Sequence, residues 1–189
     1  MNATPILPPD PPATTSKPKS KKGPTIGIGL IVAGILATLL PDEGRKLSPY
    51  RDSAGIWTVC MGITGPDVWR HKGIAFTVDE CKQLEAGYVA RMVRQMEPCL
   101  SPGVENTLTL QEWTTYGHWT YNVGTSAWCH SSVIRKLNAG DHEGACKAMG
   151  NWTFITIRGR PVNCRTAGHL CPGIVKRRDK EVGMCLEAL

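Results

Sequence analysis

The sequence predicts an α+β fold in which a small β-containing lobe and a mostly helical lobe follow an N-terminal hydrophobic anchor helix. Three observations predict it. Residues 55–60 are rich in β-branched and aromatic side chains, apolar residues recur at helical spacing from Thr77 onward, and residues 23–41 carry no charge. All 12 aromatic residues of the 189-residue chain lie at Tyr50 or later. We therefore expect one packed domain over residues 41–189, long enough to bury a core.

The first 24 residues form a Pro- and Lys-rich leader. They contain seven of the 14 prolines and no aromatic residue, so we expect an extended, solvated, cytoplasmic segment. The net charge of +6 is divided equally between residues 1–41 and 42–189. A charge of +3 on the domain, with no base-reading motif, argues against a nucleic-acid partner. It suits anionic wall and membrane surfaces.

The next segment, Thr25–Leu40, has nine Ile, Leu or Val among its 16 residues. As a helix it would span about 24 Å, somewhat less than the roughly 30 Å hydrocarbon core of a bilayer. A buried core helix, a cleaved signal peptide and an uncleaved, marginal signal-anchor are all compatible with this composition. The anchor fits best, because Leu39-Leu40-Pro41 is a poor cleavage site. The preceding lysines predict an N-in, C-out orientation.

The cysteines point to an oxidising compartment. All eight follow the hydrophobic segment and none forms a C-x-x-C pair, so we expect disulfides and no metal site. Free thiols in a cytosolic protein are the alternative. Eight cysteines allow 105 complete pairings, and sequence does not choose among them. In one candidate set, Cys164–Cys171 closes a short loop and Cys60–Cys81 ties the strands to the following helix. Cys146–Cys185 joins the last helices, and Cys99–Cys129 is the remaining pair.

The domain itself reads as short strands followed by helices. Strands are expected within residues 47–64 and a first helix from the capping box Thr77-x-x-Glu80 to Pro98. Further helices are expected at 108–123, 131–137 and 141–149, and a last one from Pro172. Residues 151–173 are expected to be irregular.

Three side chains near the start of the domain could carry chemistry. Glu43 would lie on a helical segment, Asp52 on the turn entering the strands and Thr58 on a strand. Glycoside hydrolysis needs one protonated carboxyl group for the leaving oxygen and a second carboxylate on the other side of the bond. Spacing alone does not distinguish this set from ordinary exposed carboxylates.

The residues around these three resemble a known active-site signature, that of the phage-type lysozymes, glycoside hydrolase family 24. The resemblance lies in Glu43-Gly-x5-Tyr50-x-Asp52-x-x-Gly55-x-Trp57-Thr58-Val59-Cys60-x-Gly62-x-Thr64-Gly65, Tyr121-Asn-Val-Gly124, Gly140-Asp141 with Gly144-Ala145-Cys146, and Gly173-x-x-x-Arg177-Arg178-x-x-Glu181.

The resemblance implies a cofactor-free, monomeric muramidase that cuts peptidoglycan with inversion. It implies that Glu43 is the general acid, that Asp52 is the second carboxylate and that Thr58 positions the attacking water. It also suggests that three further residues line the sugar cleft, namely Thr64, Tyr121 and Ser132.

A hydrophobic anchor directly before a lysozyme domain is similar to the signal-arrest-release endolysins of phages. The resemblance implies a form held inactive in the host inner membrane and a released, active form in the periplasm that lyses the cell. Glu43 follows Leu40 by only three residues, so an embedded anchor would hold Glu43 at the headgroups, away from Asp52. A membrane-anchored wall-binding protein without catalysis is the alternative, and it would not need Glu43 or Asp52.

Overall fold

A computed structural model describes residues 26–52, 55–65, 68, 74–157, 159–166 and 170–189. The leader over residues 1–24, and Thr25 at the start of the hydrophobic segment, lie outside the described residues. The described helices are α1 Ile28–Glu43, α2 Val78–Met96, α3 Leu110–Val123, α4 Thr125–His130, α5 Ser132–Asn138, α6 His142–Met149 and α7 Pro172–Leu186. The described strands are β1 Lys46–Arg51, β2 Trp57–Cys60, β3 Ile63–Thr64, β4 Phe154–Ile157 and β5 Arg160–Asn163.

Helix α1 contains most of the predicted anchor and is packed into the helical lobe, against α2 and α3. It buries one apolar face, formed by Ile31, Val32, Ile35 and Leu39. It also continues past residue 40 to Glu43, so the hydrophobic segment and the start of the predicted domain form one helix. Among the described residues, no helix is long and apolar enough to cross a membrane.

Two glycines allow α1 and α3 to approach closely. A Cβ added at Gly34 of α1 would overlap the Thr114 hydroxyl, and one added at Gly117 of α3 would overlap the side chain of Ile35. Ile35 is completely buried in this crossing. Any larger residue at either glycine must therefore push α1 away from the core, because close-packed interiors leave no spare volume.

The small lobe is a three-stranded antiparallel sheet in the order β1-β2-β3. Tyr50 pairs with Thr58 and Thr58 pairs with Thr64 across the sheet. The Cys60–Cys81 disulfide joins β2 to the first turn of α2. Thr77 and Glu80 form the expected capping box at the start of that helix.

The helical lobe is built around α3, which is buried along most of its length. Trp113, Tyr116 and Trp119 of this helix pack in the main core with Trp128 of α4. The other three disulfides brace this lobe, and all four bonds match the candidate pairing from the sequence: Cys60–Cys81, Cys99–Cys129, Cys146–Cys185 and Cys164–Cys171.

One expectation about secondary structure is wrong. The region 151–173, expected to be irregular, contains the antiparallel hairpin β4–β5, in which Phe154 pairs with Asn163 and Ile157 with Arg160. The physical reason is local. The run Phe-Ile-Thr-Ile favours an extended strand, and Gly159 adopts the positive φ of 76° that a tight turn requires. The helix α4 was also not expected as a separate element.

Candidate active site

Glu43 is the last residue of α1. The helix ends there because Gly44 adopts φ 66° and donates its N–H to the Leu40 carbonyl oxygen at 3.1 Å. The Glu43 side chain is about a quarter exposed, and its Oε1 lies 3.2 Å from Nη2 of Arg177 on α7. The same guanidinium donates to the side-chain oxygen of Asn122, at the end of α3. Three helices thus meet at this carboxyl group.

Asp52 and Thr58 lie together on the hairpin between β1 and β2. The Ile56 N–H donates to Asp52 Oδ1 at 2.9 Å, and the Thr58 hydroxyl donates to the Ile56 carbonyl oxygen at 3.0 Å. Thr58 is buried, whereas Asp52 is half-buried. The backbone of a single residue, Ile56, therefore orients both side chains.

Tyr121 lies between the two lobes. Its hydroxyl donates to the Met61 carbonyl oxygen at 2.5 Å, and its ring packs edge-on against Tyr88 with 5.5 Å between centroids. Burial raises the pKa of Tyr121 well above its ordinary value, and the neighbouring groups Tyr88, Glu43 and Tyr50 raise it further. Tyr121 is therefore a hydrogen-bond donor at working pH, with the Glu43 carboxyl group in its surroundings.

The other predicted cleft residues differ in position. Thr64 is exposed and lines a cavity of about 260 Å³ between the lobes. The remaining lining residues come from α2 and from the α3–α4 junction: Tyr88, Arg91, Met92, Gln95, Thr120, Gly124 and Thr125. Ser132 is half-buried at the start of α5 and does not line this cavity. The N-cap of α5 is its neighbour Ser131, which accepts from the Ile134 N–H.

A group of charged and polar side chains surrounds Asp42, the residue before Glu43. Lys180 Nζ on α7 lies 2.7 and 2.8 Å from the two carboxylate oxygens of Asp42. His118 of α3 is fully buried, with Nε2 3.3 Å from Asp42 Oδ2. Within the described part of the chain, neither ring nitrogen of His118 makes a hydrogen bond of good geometry. Burial, only partly opposed by Asp42, lowers the pKa of His118 to about 4.

Close to the Asp42 group, Arg178 and Glu181 form a buried ion pair. Arg178 Nη1 and Glu181 Oε2, both on α7, are 2.5 Å apart. Burial raises the pKa of Glu181 to about 7, because removing a carboxylate from water outweighs the attraction of Arg178. Arg178 Nε and Glu181 Oε1 make no hydrogen bond within the described residues.

A second ion pair follows Glu43. Arg45 donates to Glu85 of α2 through Nε at 2.9 Å and through Nη2 at 2.5 Å. This hydrogen bond to Glu85 raises the pKa of Arg45 above its already high value. Glu85 is buried, and the bidentate geometry satisfies both of its oxygens. The chain that leaves α1 is therefore fixed to α2 before β1 begins.

The described residues bring one set of possible metal ligands together, namely Cys60, Cys81 and Glu85. The two cysteines form a disulfide and Glu85 is occupied by Arg45. This set is therefore already satisfied without an ion.

Sequence reasoning missed several of these contacts. The partners of Asp42 lie on α3 and α7, and Lys180 is 138 residues away. The usable signal lies in two motifs of the sequence. Arg177 of Arg177-Arg178 contacts Glu43, and Asn122 of Tyr121-Asn-Val-Gly124 accepts a hydrogen bond from Arg177.

A two-lobed α+β domain that carries Glu43 at the end of a helix, and Asp52 and Thr58 on the hairpin of its small sheet, has the architecture of the lysozyme class of glycoside hydrolases. Residues 41–181 match the model of the Phage lysozyme family, and the chain belongs to that family. The matched region begins two residues before Glu43, so it excludes most of α1.

Individual relatives agree with this assignment. The chain is 33% identical to the SAR-endolysin of Enterobacteria phage P21 over 144 residues, which cover 76% of this chain and 77% of that protein. It is 31% identical to the SAR-endolysin of Escherichia phage Mu over 147 residues, covering 78% and 75%. Among solved structures, the endolysin from Escherichia coli O157:H7 phage FAHEc1 superposes with a TM-score of 0.63 at 26% identity, covering 87% and 94%.

Proposed function

We propose that this protein is a phage endolysin that hydrolyses the β-1,4 bond between N-acetylmuramic acid and N-acetylglucosamine in peptidoglycan. The observation that carries the proposal is the position of Glu43, at the end of a helix and held beside Arg177 and Asn122. Membership of the phage lysozyme family and the SAR-endolysin relatives support the same substrate.

In the proposed reaction, the Glu43 carboxyl group donates its proton to the glycosidic oxygen as the bond to the anomeric carbon breaks. The Glu43 carboxylate that remains lies 3.2 Å from the Arg177 guanidinium and forms an ion pair with it. Asn122 holds that guanidinium in place.

On the opposite face of the sugar, Asp52 accepts a proton from the attacking water while the water oxygen bonds to the anomeric carbon. Thr58 donates its hydroxyl hydrogen to Ile56, so its oxygen is oriented to accept a hydrogen bond from that water. Attack from this face gives inversion at the anomeric carbon. Thr64 lines the cavity between the lobes, and sugar-binding roles for Thr64, Tyr121 and Ser132 stay predictions.

The test of catalysis is Glu43→Gln, which keeps the size of the side chain but cannot donate the proton. We expect activity on purified peptidoglycan to fall by about 100- to 10,000-fold, the usual contribution of a general acid. The measurements are clearing of a cell-wall suspension and mass spectrometry of the soluble fragments, which should end in reducing muramic acid.

Glu143→Gln is the matched control, because Glu143 is exposed on α6 and forms its ion pair with the exposed Lys147. It should retain full activity. A folded Glu43→Gln protein that clears walls like the wild type would exclude Glu43 as the general acid. A wild-type protein that binds walls but does not clear them would leave the wall-binding function as the better explanation.

We further propose that the hydrophobic segment holds the protein inactive in the inner membrane until it is released. Two observations support this proposal. The stretch 23–41 carries no charge, which suits a lipid environment, and the same stretch supplies the apolar face that docks in the protein core, formed by Ile31, Val32, Ile35 and Leu39. Docking of α1 brings Glu43 to Arg177, a contact that a membrane-embedded helix could not make. The released, docked form is therefore the active one.

Two substitutions on the exposed side of α1 can test membrane retention without changing how α1 docks on the domain. A side chain at Gly29 would meet nothing within 4 Å, so Gly29→Leu makes the segment more apolar without disturbing the docked helix. We expect it to increase the membrane-bound fraction and delay lysis. Leu30 is 62% exposed when α1 is docked, and Leu30→Gln should have the opposite effect. Fractionation of cells that gives equal membrane-bound amounts for both variants would contradict retention by this segment.

A further inference from the structure

Two charged residues close to Glu43, one directly before it and one two positions after it, are tied to different helices. Asp42 binds Lys180 of α7 through both carboxylate oxygens, and Arg45 binds Glu85 of α2 through two nitrogens. The Arg45–Glu85 pair is largely buried, since the Glu85 side chain is 1% exposed, whereas the Asp42–Lys180 pair joins a 22% exposed carboxylate to a half-exposed lysine.

The segment between these ion pairs carries the proposed general acid. Gly44, at φ 66°, ends the helix between Asp42 and Arg45. As a glycine it has no side chain that could fix this part of the chain by contacts. The position of the Glu43 carboxyl group therefore depends on what holds its neighbours. Fixing the chain on both sides leaves Glu43 only its own side-chain rotations, and Arg177 limits those.

We propose that Asp42 and Arg45 are positioning residues for Glu43, acting through Lys180 and Glu85. This inference rests on the proposed catalytic role of Glu43. Because Asp42 belongs to α1 and its partner belongs to α7, the Asp42–Lys180 pair forms only when α1 is docked. It therefore couples docking of the helix to the placement of the acid, in addition to the apolar contacts that hold the helix.

The first test is Asp42→Asn together with Lys180→Met, singly and combined. A displacement of the acid of about 1 Å can cost about 100-fold, so we expect kcat to fall at least about tenfold in each single variant while KM changes less than about twofold. The double variant should be no worse than either single one, because both remove one interaction. Exchanging the charges, Asp42→Lys with Lys180→Asp, should restore part of kcat.

The second test is Arg45→Gln, with the same split between kcat and KM. Lys147→Met is the matched control for every variant, because it removes an exposed Lys–Glu pair far from the cleft. Thermal unfolding reports the folded fraction, and kcat is expressed per folded molecule. Lys180 is half-exposed, so its variant is expected to fold even where a change at Asp42 does not.

Folded Asp42→Asn, Lys180→Met and Arg45→Gln proteins with kcat within twofold of the wild type would overturn the positioning role, as would single effects that multiply in the double variant. Failure of the proposed function would look different. In that case Glu43→Gln itself would remain active, whatever the flanking residues do.

Discussion

The two proposed catalytic carboxyl groups are held in different ways. Asp52 is oriented by the backbone of Ile56, four residues further along the same hairpin. Glu43 is oriented by residues from α2, α3 and α7, and only when α1 is packed against them. Asp52 therefore takes its position as soon as its hairpin forms, whereas Glu43 takes its position only in the assembled domain. An enzyme that must be inactive in one state needs only one of its two groups to depend on assembly.

The largest effect is expected from a substitution that prevents α1 from packing against α3, because it should displace Glu43 and leave Asp52 in place. Gly117→Leu places a side chain where Ile35 now packs, and overpacking of this kind costs about 1–3 kcal/mol. We expect unfolding at a clearly lower temperature and a loss of activity larger than the loss of folded protein, because Glu43 is displaced while the Asp52 hairpin is not.

Gly87→Ala is the control for Gly117→Leu, since a Cβ at Gly87 meets only the end of the Arg91 side chain at 3.7 Å. Activity and thermal unfolding should match the wild type in this variant. A Gly117→Leu protein with normal activity would show that docking of α1 does not place Glu43.

A smaller effect is expected from a substitution in the hairpin that orients Asp52. Gly55 lies in the turn between Asp52 and Ile56 with φ 76°, and its N–H donates to the Asp52 carbonyl oxygen. Gly55→Ala has room for the methyl group, so its cost is the backbone strain alone, about 1 kcal/mol. We expect reduced activity with α1 still docked, which hydrogen exchange of the α1 amides would show as unchanged protection.

The smallest effect expected is on the pH dependence of stability, through two buried groups near Asp42. The lowered pKa of His118, about 4 against an ordinary 6.5, means that the unfolded chain binds a proton that the folded chain does not between these values. Stability from this source falls as pH falls. The raised pKa of Glu181, about 7 against 4.5, has the opposite sign, and stability from this source falls as pH rises.

The two slopes oppose each other in the wild type between about pH 4.5 and 6.5. His118→Gln should therefore unfold more easily as pH rises through this window, and Glu181→Gln should unfold more easily as pH falls. Denaturant unfolding at half-unit pH steps measures both. Parallel curves for the two variants would show that these groups do not titrate as their surroundings indicate.

Much of the local structure follows from the sequence, for local reasons. The capping box at Thr77 and Glu80 and the strands of the small lobe depend on residues close in the chain, and they form as expected. The hairpin β4–β5 was readable in the same way, from the extended run ending at Ile157 and the glycine after it, but the two nearby cysteines and their loop suggested irregular chain.

The environment of Glu43 could not be read in this way. The pairs Asp42–Lys180 and Arg45–Glu85 join residues 138 and 40 apart, and nothing in their local sequence selects these partners. Nor did composition decide whether Ile31, Val32, Ile35 and Leu39 face lipid or protein, because both environments favour the same residues. The close crossing at Gly34 and Gly117 was likewise invisible until the two helices were placed together.

The crossing divides the surface of α1 into two parts with separate tasks. On the inner side, a Cβ at Gly34 would overlap Thr114, and Ile35 is completely buried against Gly117. On the outer side, Gly27, Gly29 and Leu30 face open space. If the proposed membrane retention is correct, exchanges at the outer residues change the time of lysis and leave the packing of the released enzyme unchanged. The two roles proposed for α1, membrane retention and placement of Glu43, therefore depend on different faces of the same helix.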